Sequence, residues 1–216
     1  MGIPVLIMGK SGAGKSTSLR NFAQDEVGII NVLGKPLPFR NTLKVYETDN
    51  YATITESIIK SKIDTIVIDD AGYLMTNMFM NNHAQTGGGN KVFELYNSIA
   101  DNFFKLIRCV SEKLPKQKIV YFIMHEDKND FGDIAPKTIG KALDKHVCIE
   151  GLFTVVLRAI KEDKRYLFIT QSRGYDVAKS PIDMFAEEAI DNDLKAVDKT
   201  IREYYSLGGK NNAVSS

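Results

Sequence analysis

The sequence predicts an α/β fold in which helices cover both faces of a mainly parallel β-sheet. Three observations predict it. Short apolar runs that are typical of buried strands alternate with amphipathic stretches that are typical of helices. Segments 152–160 and 165–170 have the pattern of two strands joined by a charged turn, so an antiparallel hairpin extends one side of the sheet. Residues 9–16 form a glycine-rich loop between a strand and a helix, which is typical of the three-layer P-loop NTPase fold.

The composition indicates one water-soluble domain. The 216 residues are 44% hydrophobic, and we expect a single domain over residues 1–206 and a disordered tail over 207–216. No apolar run approaches the roughly 20 residues of a membrane span, so we expect a cytoplasmic protein that does not contact membranes. The net charge of +1 restricts any DNA-binding surface to local clusters. Cys109 and Cys148 are flanked by apolar residues, which favours two buried free thiols.

The glycine-rich loop satisfies the phosphate-binding pattern G-x-x-x-x-G-K-[ST] at every position. Segment 3–8 before it is an apolar strand, and segment 16–23 after it reads as a helix with Leu19 and Phe22 facing inward. Backbone N–H groups of such a loop and the positive end of the helix dipole form an anion cradle. The pattern therefore predicts a bound nucleoside triphosphate, which we interpret as ATP. The predicted nucleotide-binding residues are Gly9, Lys10, Ser11, Gly12, Ala13, Gly14, Lys15, Ser16 and Thr17.

A phosphate loop works together with a magnesium ion that is held by an acid at the end of a neighbouring strand. The apolar segment 64–70 ends in two carboxylates, and we expect Asp69 and the Ser16 hydroxyl to hold Mg²⁺. Lys15 is expected to neutralise charge on the β- and γ-phosphates. Asp70 either positions the attacking water or begins the next helix as its N-cap.

Two further strand ends carry candidate catalytic side chains. His125 follows the apolar strand 118–124, which we expect beside the Asp69 strand, and its side chain is expected to contact the γ-phosphate. Glu47 and Asp49 lie at the end of strand 43–47, where either acid could serve as the base. The sequence leaves the choice of the water-positioning acid open.

The remaining pattern predicts alternating elements and two polar loops. Segments 77–90 and 126–137 are polar, and the first of them is also rich in glycine, so both are expected to be loops. Other expected elements are a strand at 26–33 and helices at 55–60, 91–114, 136–145 and 181–205.

The chain resembles the RecA-like P-loop ATPases, in particular the short bacteriophage type that acts with single-strand annealing systems. The resemblance rests on residues 9–16, 66–70 and 123–126 and on the order of elements between them, and it covers residues 1–180. It implies a Mg²⁺-dependent ATPase that acts on single-stranded DNA in phage recombination or annealing, in the host cytoplasm. It also implies a homo-oligomer or filament, with a single-strand binding or annealing protein as a possible partner.

In proteins of this type, two loops face the DNA channel of the oligomer, and here they would be 77–90 and 126–137. Lysines in or near them could contact DNA phosphates, and Phe131 could stack on a base. Lys179 lies where relatives place basic residues that reach a neighbouring subunit's nucleotide. The predicted DNA-contacting residues are Lys91, Lys128, Phe131, Lys137 and Lys141.

The chain departs from these relatives at the end of the second strand, where they carry a catalytic glutamate. Segment 31–35 contains no acid there, so either another acid has the role or ATP acts mainly as an assembly switch. Two alternatives stay open: a P-loop kinase for nucleotides or small molecules, and a non-hydrolysing ATP-dependent switch. The two loops contain no arginine, whereas such kinases usually close an arginine-rich lid over the acceptor.

Overall fold

In a computed structural model, which describes residues 1–85, 87, 89–139 and 147–207, the strands of the described residues form one mixed sheet. The sheet order is β3-β2-β4-β5-β1-β7-β8-β9, and β6 pairs with β5 alone. The strands are β1 (Ile3–Gly9), β2 (Gly28–Asn31), β3 (Val45–Glu47), β4 (Thr65–Asp69), β5 (Ile119–Lys128), β6 (Ile134–Pro136), β7 (Val155–Glu162), β8 (Arg165–Ile169) and β9 (Ala189–Asp191).

The first part of the sheet is parallel, as predicted. Strands β3, β2, β4, β5, β1 and β7 run in the same direction. Gly9 at the end of β1 is in register with His125 on β5, and Asn31 at the end of β2 is in register with Asp69. Because β5 lies between β1 and β4, the carboxyl ends of these three strands meet at one edge of the sheet. His125 is therefore on the strand beside the Asp69 strand, as the sequence predicted.

Helices cover both faces of this sheet. One face packs against α1 (Tyr51–Lys60), α2 (Tyr73–Asn82) and α3 (Asn90–Lys113), and the other against a 3-10 helix (Ser16–Asn21) and α4 (Leu194–Tyr204). Alternate residues of β1 enter the two cores, because neighbouring side chains of a strand point to opposite faces. Among the helices of the described residues, none has the length and apolar character that crossing a bilayer requires.

The antiparallel extension is also confirmed, and it is longer than predicted. Strands β7 and β8 pair antiparallel, with Glu162 opposite Arg165, and β9 adds a third antiparallel strand at the edge. The expected helix over 181–205 is wrong in its first half, because Ala189–Asp191 is a strand and α4 begins only at Leu194. The Asp193 carboxylate accepts from two backbone amides of α4 and so sets its start.

Both expected loops contain regular structure. Helix α2 extends through Asn82 and a 3-10 turn follows it at His83–Gln85, since Leu74 and Met75 bury one side of α2 in the core. Strand β5 continues to Lys128 and returns as β6, so most of 126–137 is a hairpin. The expected helix at 136–145 begins inside β6, and its residues 140–145, like the tail from 208, lie outside the described residues. Cys109 is a buried free thiol as expected, but Cys148 is exposed.

Candidate nucleotide site

The phosphate-binding loop lies at the carboxyl end of β1 and enters the 3-10 helix at Ser16. Gly12 and Gly14 have φ angles of 77° and 89°, and a residue with a side chain would be strained at these angles. Within the described part of the chain, the Ala13 N–H donates to the Lys10 carbonyl oxygen at 3.2 Å, whereas the amides of Gly12, Gly14, Lys15 and Ser16 have no hydrogen-bond acceptor in the protein. These amides are available to a phosphate group, as the motif predicts.

Lys15 is folded back onto the loop that carries it. Its ammonium Nζ donates to the carbonyl oxygens of Gly9 and Lys10, at 2.9 Å each, and the residue is only 6% exposed. Burial lowers the pKa of Lys15, and the nearby carboxylates of Asp70 and Asp69 oppose that shift. The side chain is thus a buried cation at the edge of the sheet where a triphosphate would lie.

Asp69 and Ser16 are brought together across the width of β5. The Ser16 hydroxyl donates to Asp69 Oδ1 at 2.8 Å, although the residues are 53 positions apart. Burial, and next the charge of Asp70, raise the pKa of Asp69 to about 6. A hydroxyl and a desolvated carboxylate are hard oxygen ligands of the kind that Mg²⁺ prefers together with phosphate oxygens. The residues present therefore fit the predicted metal.

Asp70 is buried beside Asp69, but its carboxylate contacts other residues than the Asp69 carboxylate does. It has a positive φ of 59°, and its carboxylate forms an ion pair with Lys35 at 2.6 Å. His125 Nε2 lies 3.6 Å from the same carboxylate. The N-cap of α2 is Gly72, with no side-chain capping bond, so the interpretation of Asp70 as a helix cap is wrong. Asp70 instead joins the charged residues around Lys15.

His125 completes this group at the end of β5. Its ring makes an edge-to-face contact with Tyr73, with 5.8 Å between the ring centroids. Burial, and then the positive charge of Lys15, lower the pKa of His125. The imidazole is therefore neutral at pH 7 and can donate or accept one hydrogen bond at the strand end.

Comparison with known proteins identifies the family. A family model described as AAA domain matches residues 1–182, which are most of the chain. The chain belongs to the AAA domain family. Its fold and loop agree with the nucleotide-binding P-loop ATPases of that family, in which Mg²⁺ is the usual metal. A search of the curated proteins finds no match to the chain.

The other two candidate acids of this AAA domain are not part of the charged group. Glu47 is exposed on β3, which is separated from β1 by β2, β4 and β5. Asp49 accepts a hydrogen bond from Asn77 Nδ2 at 3.0 Å on the surface. The geometry thus brings Asp69, Asp70, Lys15 and His125 together and leaves these two acids outside.

Two polar groups beside the loop were missed by sequence reasoning. Lys35 pairs with Asp70, and it follows β2 in segment 31–35, where RecA-like ATPases carry their catalytic glutamate. Arg158 on β7 donates to both carboxylate oxygens of Glu126, at 2.8 and 3.1 Å, and to Asp176 at 3.3 Å. Arg158, Glu126 and Asp176 form a charged triad. Arg158 and Glu126 line one side of a cavity of about 370 Å³, and Lys10 and its neighbours in the loop line the other side. Lys35 could have been found from its place at a strand end, but the triad joins residues that are distant in sequence.

The predicted DNA-contacting residues lie around the β5–β6 hairpin and α3. Phe131 is 93% exposed at the hairpin turn, and Lys128 ends β5. Lys137 follows β6, and its backbone N–H donates to the carbonyl oxygen of His125 at 2.7 Å. Lys91 is exposed in the first turn of α3, and Lys141 lies outside the described residues.

Lys179 lies away from the loop of its own chain. Its backbone pairs with Val156, near the start of β7, whereas the loop follows the end of β1. The side chain is half-buried there. A role of Lys179 at this chain's own phosphate loop has no support in this position.

The pKa of Asp69 leads to a prediction about stability. A carboxyl whose pKa is higher in the folded than in the unfolded chain binds its proton more tightly when folded, so the free energy of unfolding falls as the pH rises from about 4 to about 6. Without Mg²⁺, we expect Asp69→Asn to be more stable than the parent at pH 7, by up to about 3 kcal/mol, and this gain to shrink toward pH 4. Denaturant unfolding at both pH values measures it.

The control for this variant is Asp101→Asn, which changes an exposed carboxylate on α3. It is expected to change the free energy of unfolding by less than about 1 kcal/mol. Mg²⁺ with nucleotide is expected to stabilise the parent more than Asp69→Asn, because only the parent keeps the carboxylate ligand. An Asp69→Asn protein that is less stable than the parent at pH 7 would contradict the prediction.

Proposed function

We propose that this AAA domain is a Mg²⁺-dependent ATPase of the RecA-like type that acts on single-stranded DNA in phage recombination or annealing. The observation that carries the proposal is the contact between Ser16 and Asp69 at 2.8 Å beside the buried ammonium of Lys15. It joins a phosphate-binding loop to a magnesium-binding carboxylate at one edge of the sheet. When bound, Mg²⁺ would neutralise charge on the β- and γ-phosphate oxygens.

In hydrolysis, a water molecule attacks the γ-phosphorus atom, the bond to the β–γ bridging oxygen breaks, and ADP and phosphate leave. Lys15 has an alternative to its present contacts, because phosphate oxygens can replace the two carbonyl oxygens as acceptors. Asp70 is the acid we assign to orienting the water. It is buried next to Asp69, the ion pair with Lys35 holds its carboxylate in place, and His125 Nε2 lies 3.6 Å away. Glu47 is the less suitable acid because it is exposed on a distant strand.

The DNA part of the proposal is supported by the exposed ring of Phe131 and its neighbouring lysines. An aromatic ring on a hairpin turn can stack on a base of any identity, and Lys128 and Lys137 can contact phosphates on either side. The hairpin also carries Asp127 and Asp130, so the attraction for DNA is expected to depend on stacking as well as charge.

The hairpin also links DNA to the nucleotide site. Lys137 and His125 share a backbone hydrogen bond, and both line a cavity of about 400 Å³ with Tyr73 and Thr76. A DNA phosphate that moves Lys137 would therefore move the strand end that carries His125. We propose that this contact couples DNA binding to hydrolysis. We further propose that the protein acts as a homo-oligomer or filament, in which Lys179 reaches the nucleotide of the neighbouring subunit. Its protein partner in this proposal is an annealing protein.

Phosphate release from ATP, measured with and without a dT oligonucleotide, tests this function. We expect Mg²⁺-dependent hydrolysis that single-stranded DNA stimulates at low salt and less at high salt. Phe131→Ala is expected to lose most of the stimulation, since base stacking contributes about 1–3 kcal/mol per base. Lys164→Ala, at the exposed turn between β7 and β8, is the control and is expected to keep it.

Three other outcomes would contradict part of the proposed function. A rate that DNA does not change would contradict the role in recombination. ATP binding with a change in oligomeric state on gel filtration but without phosphate release would identify a switch protein. Transfer of the γ-phosphate to a nucleoside or nucleotide instead of water would identify a kinase.

A further inference from the structure

Asn192 lies next to the phosphate-binding loop, and its buried polar side chain has no partner among the residues that the structure describes. It follows β9 and is 1% exposed. Neither its amide nitrogen Nδ2 nor its oxygen Oδ1 has a hydrogen bond within the described residues. Buried side-chain amides are nearly always hydrogen-bonded, so an amide with both groups unpaired needs an explanation. A ligand that binds at this place would provide one.

The position of Asn192 relative to the loop is defined by Gly14. A Cβ atom on Gly14 would lie 3.3 Å from Asn192 Oδ1 and 2.7 Å from the Tyr166 ring. Tyr166 on β8 is the cross-strand neighbour of Asn192, whose backbone N–H donates to the Tyr166 carbonyl oxygen at 3.2 Å. The Arg20 guanidinium donates to the carbonyl oxygens of both Thr17 and Asn192. Loop, Tyr166 and Asn192 therefore form one contiguous group.

This group lies on the opposite side of the loop from the magnesium-binding carboxylate. In the sheet, β4 and β5 are on one side of β1, whereas β8 and β9 are on the other. A triphosphate whose γ-phosphate faces Lys15 and Asp69 can extend across the loop, so that its other end lies toward β8 and β9. That end carries the ribose and the base.

We propose that Asn192 and Tyr166 form the base-binding subsite and give it a preference for adenine. The inference rests on the proposed ATPase function and extends it to the residues that recognise the base. Tyr166 is 36% exposed, so its ring is the member of the group that can move aside and admit the base to the Asn192 amide. The ring then stacks on the base.

The chemistry of the amide favours adenine over guanine. A side-chain amide presents one acceptor and one donor side by side, and adenine presents the complementary pair at N6–H and N7. Guanine presents two acceptors, O6 and N7, at the same edge, which would leave Oδ1 of Asn192 buried and unpaired. Sites that hydrogen-bond a ligand in this way reject analogues that lack the matching group.

One existing contact competes with stacking. The Lys161 ammonium lies 5.1 Å from the centroid of the Tyr166 ring. Lys161 is exposed and opposite Tyr166 on β7, so it can move into solvent or toward the phosphates when a base covers the ring. The contact of Lys161 therefore does not prevent base binding.

Competition experiments with a fluorescent ATP analogue, labelled on the ribose, test the subsite. The competitors are ATP, GTP and inorganic tripolyphosphate, which has no base. We expect the parent to prefer ATP over both, and Asn192→Leu to lose at least about tenfold of its preference for ATP over GTP, equivalent to about 1.4 kcal/mol. Its affinity for tripolyphosphate is expected to stay unchanged. Because the Asn192 side chain has no hydrogen-bond partner among the described residues, leucine is expected to fit without loss of stability.

A second variant and a control keep the test independent of folding. Tyr166→Ala is expected to weaken ATP and GTP binding but not tripolyphosphate binding, and Tyr166→Phe to restore both. Asn102→Leu on α3 is the control and is expected to behave as the parent. An unchanged ATP preference in Asn192→Leu, or a parent that binds ATP no better than tripolyphosphate, would overturn the subsite but leave phosphate binding intact. A parent that binds none of the three would overturn the proposed function itself.

Discussion

Lys15→Ala is expected to abolish ATP turnover, lowering the rate at least about 100-fold, which is the usual effect of removing one preorganised donor from a reacting group. Its ammonium is buried, and it is near enough to Asp70 and Asp69 for their negative charges to raise its pKa against the effect of burial. Without it, charge on the β- and γ-phosphates is not neutralised from the protein side. Phosphate release under saturating Mg²⁺-ATP measures the effect.

The fold of Lys15→Ala is expected to stay intact. In the described part of the chain, the ammonium makes two hydrogen bonds, both to loop carbonyls, and its burial is unfavourable, as its lowered pKa indicates. A circular dichroism spectrum and a thermal midpoint close to those of the parent check this. Lys199→Ala, which removes an exposed lysine of α4, is the matched control. Turnover in Lys15→Ala equal to that of the control would contradict the assignment of the loop.

Arg158→Met is expected to lower the free energy of unfolding by about 3–5 kcal/mol, the cost of removing one partner from a buried ion pair. The guanidinium makes two hydrogen bonds to Glu126 and one to Asp176, and both carboxylates are almost fully buried. Methionine fills the space but leaves the two buried carboxylates without the guanidinium that neutralises them, and among the described residues Asp176 keeps only the backbone N–H of Ala178. Urea unfolding of the parent and the variant measures the difference.

The control lies on the neighbouring strand. Arg165 on β8 pairs with Asp191, and both side chains are mostly exposed, so Arg165→Met is expected to cost less than about 1 kcal/mol. Replacing the whole triad by Glu126→Gln, Arg158→Met and Asp176→Asn is expected to recover part of the loss, because no buried charge remains. Equal stability of Arg158→Met and Arg165→Met would show that burial does not determine the effect.

Several parts of this fold could be predicted because their signals are local. The strand, the glycine turns and the lysine of residues 3–15 are contiguous, and the structure confirms the strand before the loop. Helix α3 was predicted over 91–114 and is found at Asn90–Lys113, since its buried residues recur at helical spacing. The β7–β8 hairpin was predicted from two alternating segments around one charged turn, and it is confirmed.

Errors arose where tertiary contacts outweigh local pattern. Segment 189–191 has no strong strand signal, yet it pairs with the exposed edge of β8. Residues 126–128 are polar, and they form a strand because β6 supplies their backbone partners. In both places backbone hydrogen bonds to a distant segment decide the conformation, and the composition of a single segment does not contain that information.

By itself, the sequence determined that this chain carries a phosphate-binding loop on an α/β sheet, because the residues of that motif act through backbone geometry that neighbouring positions impose. Only the tertiary structure decided which distant groups face the loop: Ser16 meets Asp69, Asp70 pairs with Lys35 beside His125, and Asn192 lies against Gly14. The physical reason is that these pairings depend on strand order. The carboxyl ends of strands far apart in sequence meet at one edge, and there burial and charge set what each side chain can do.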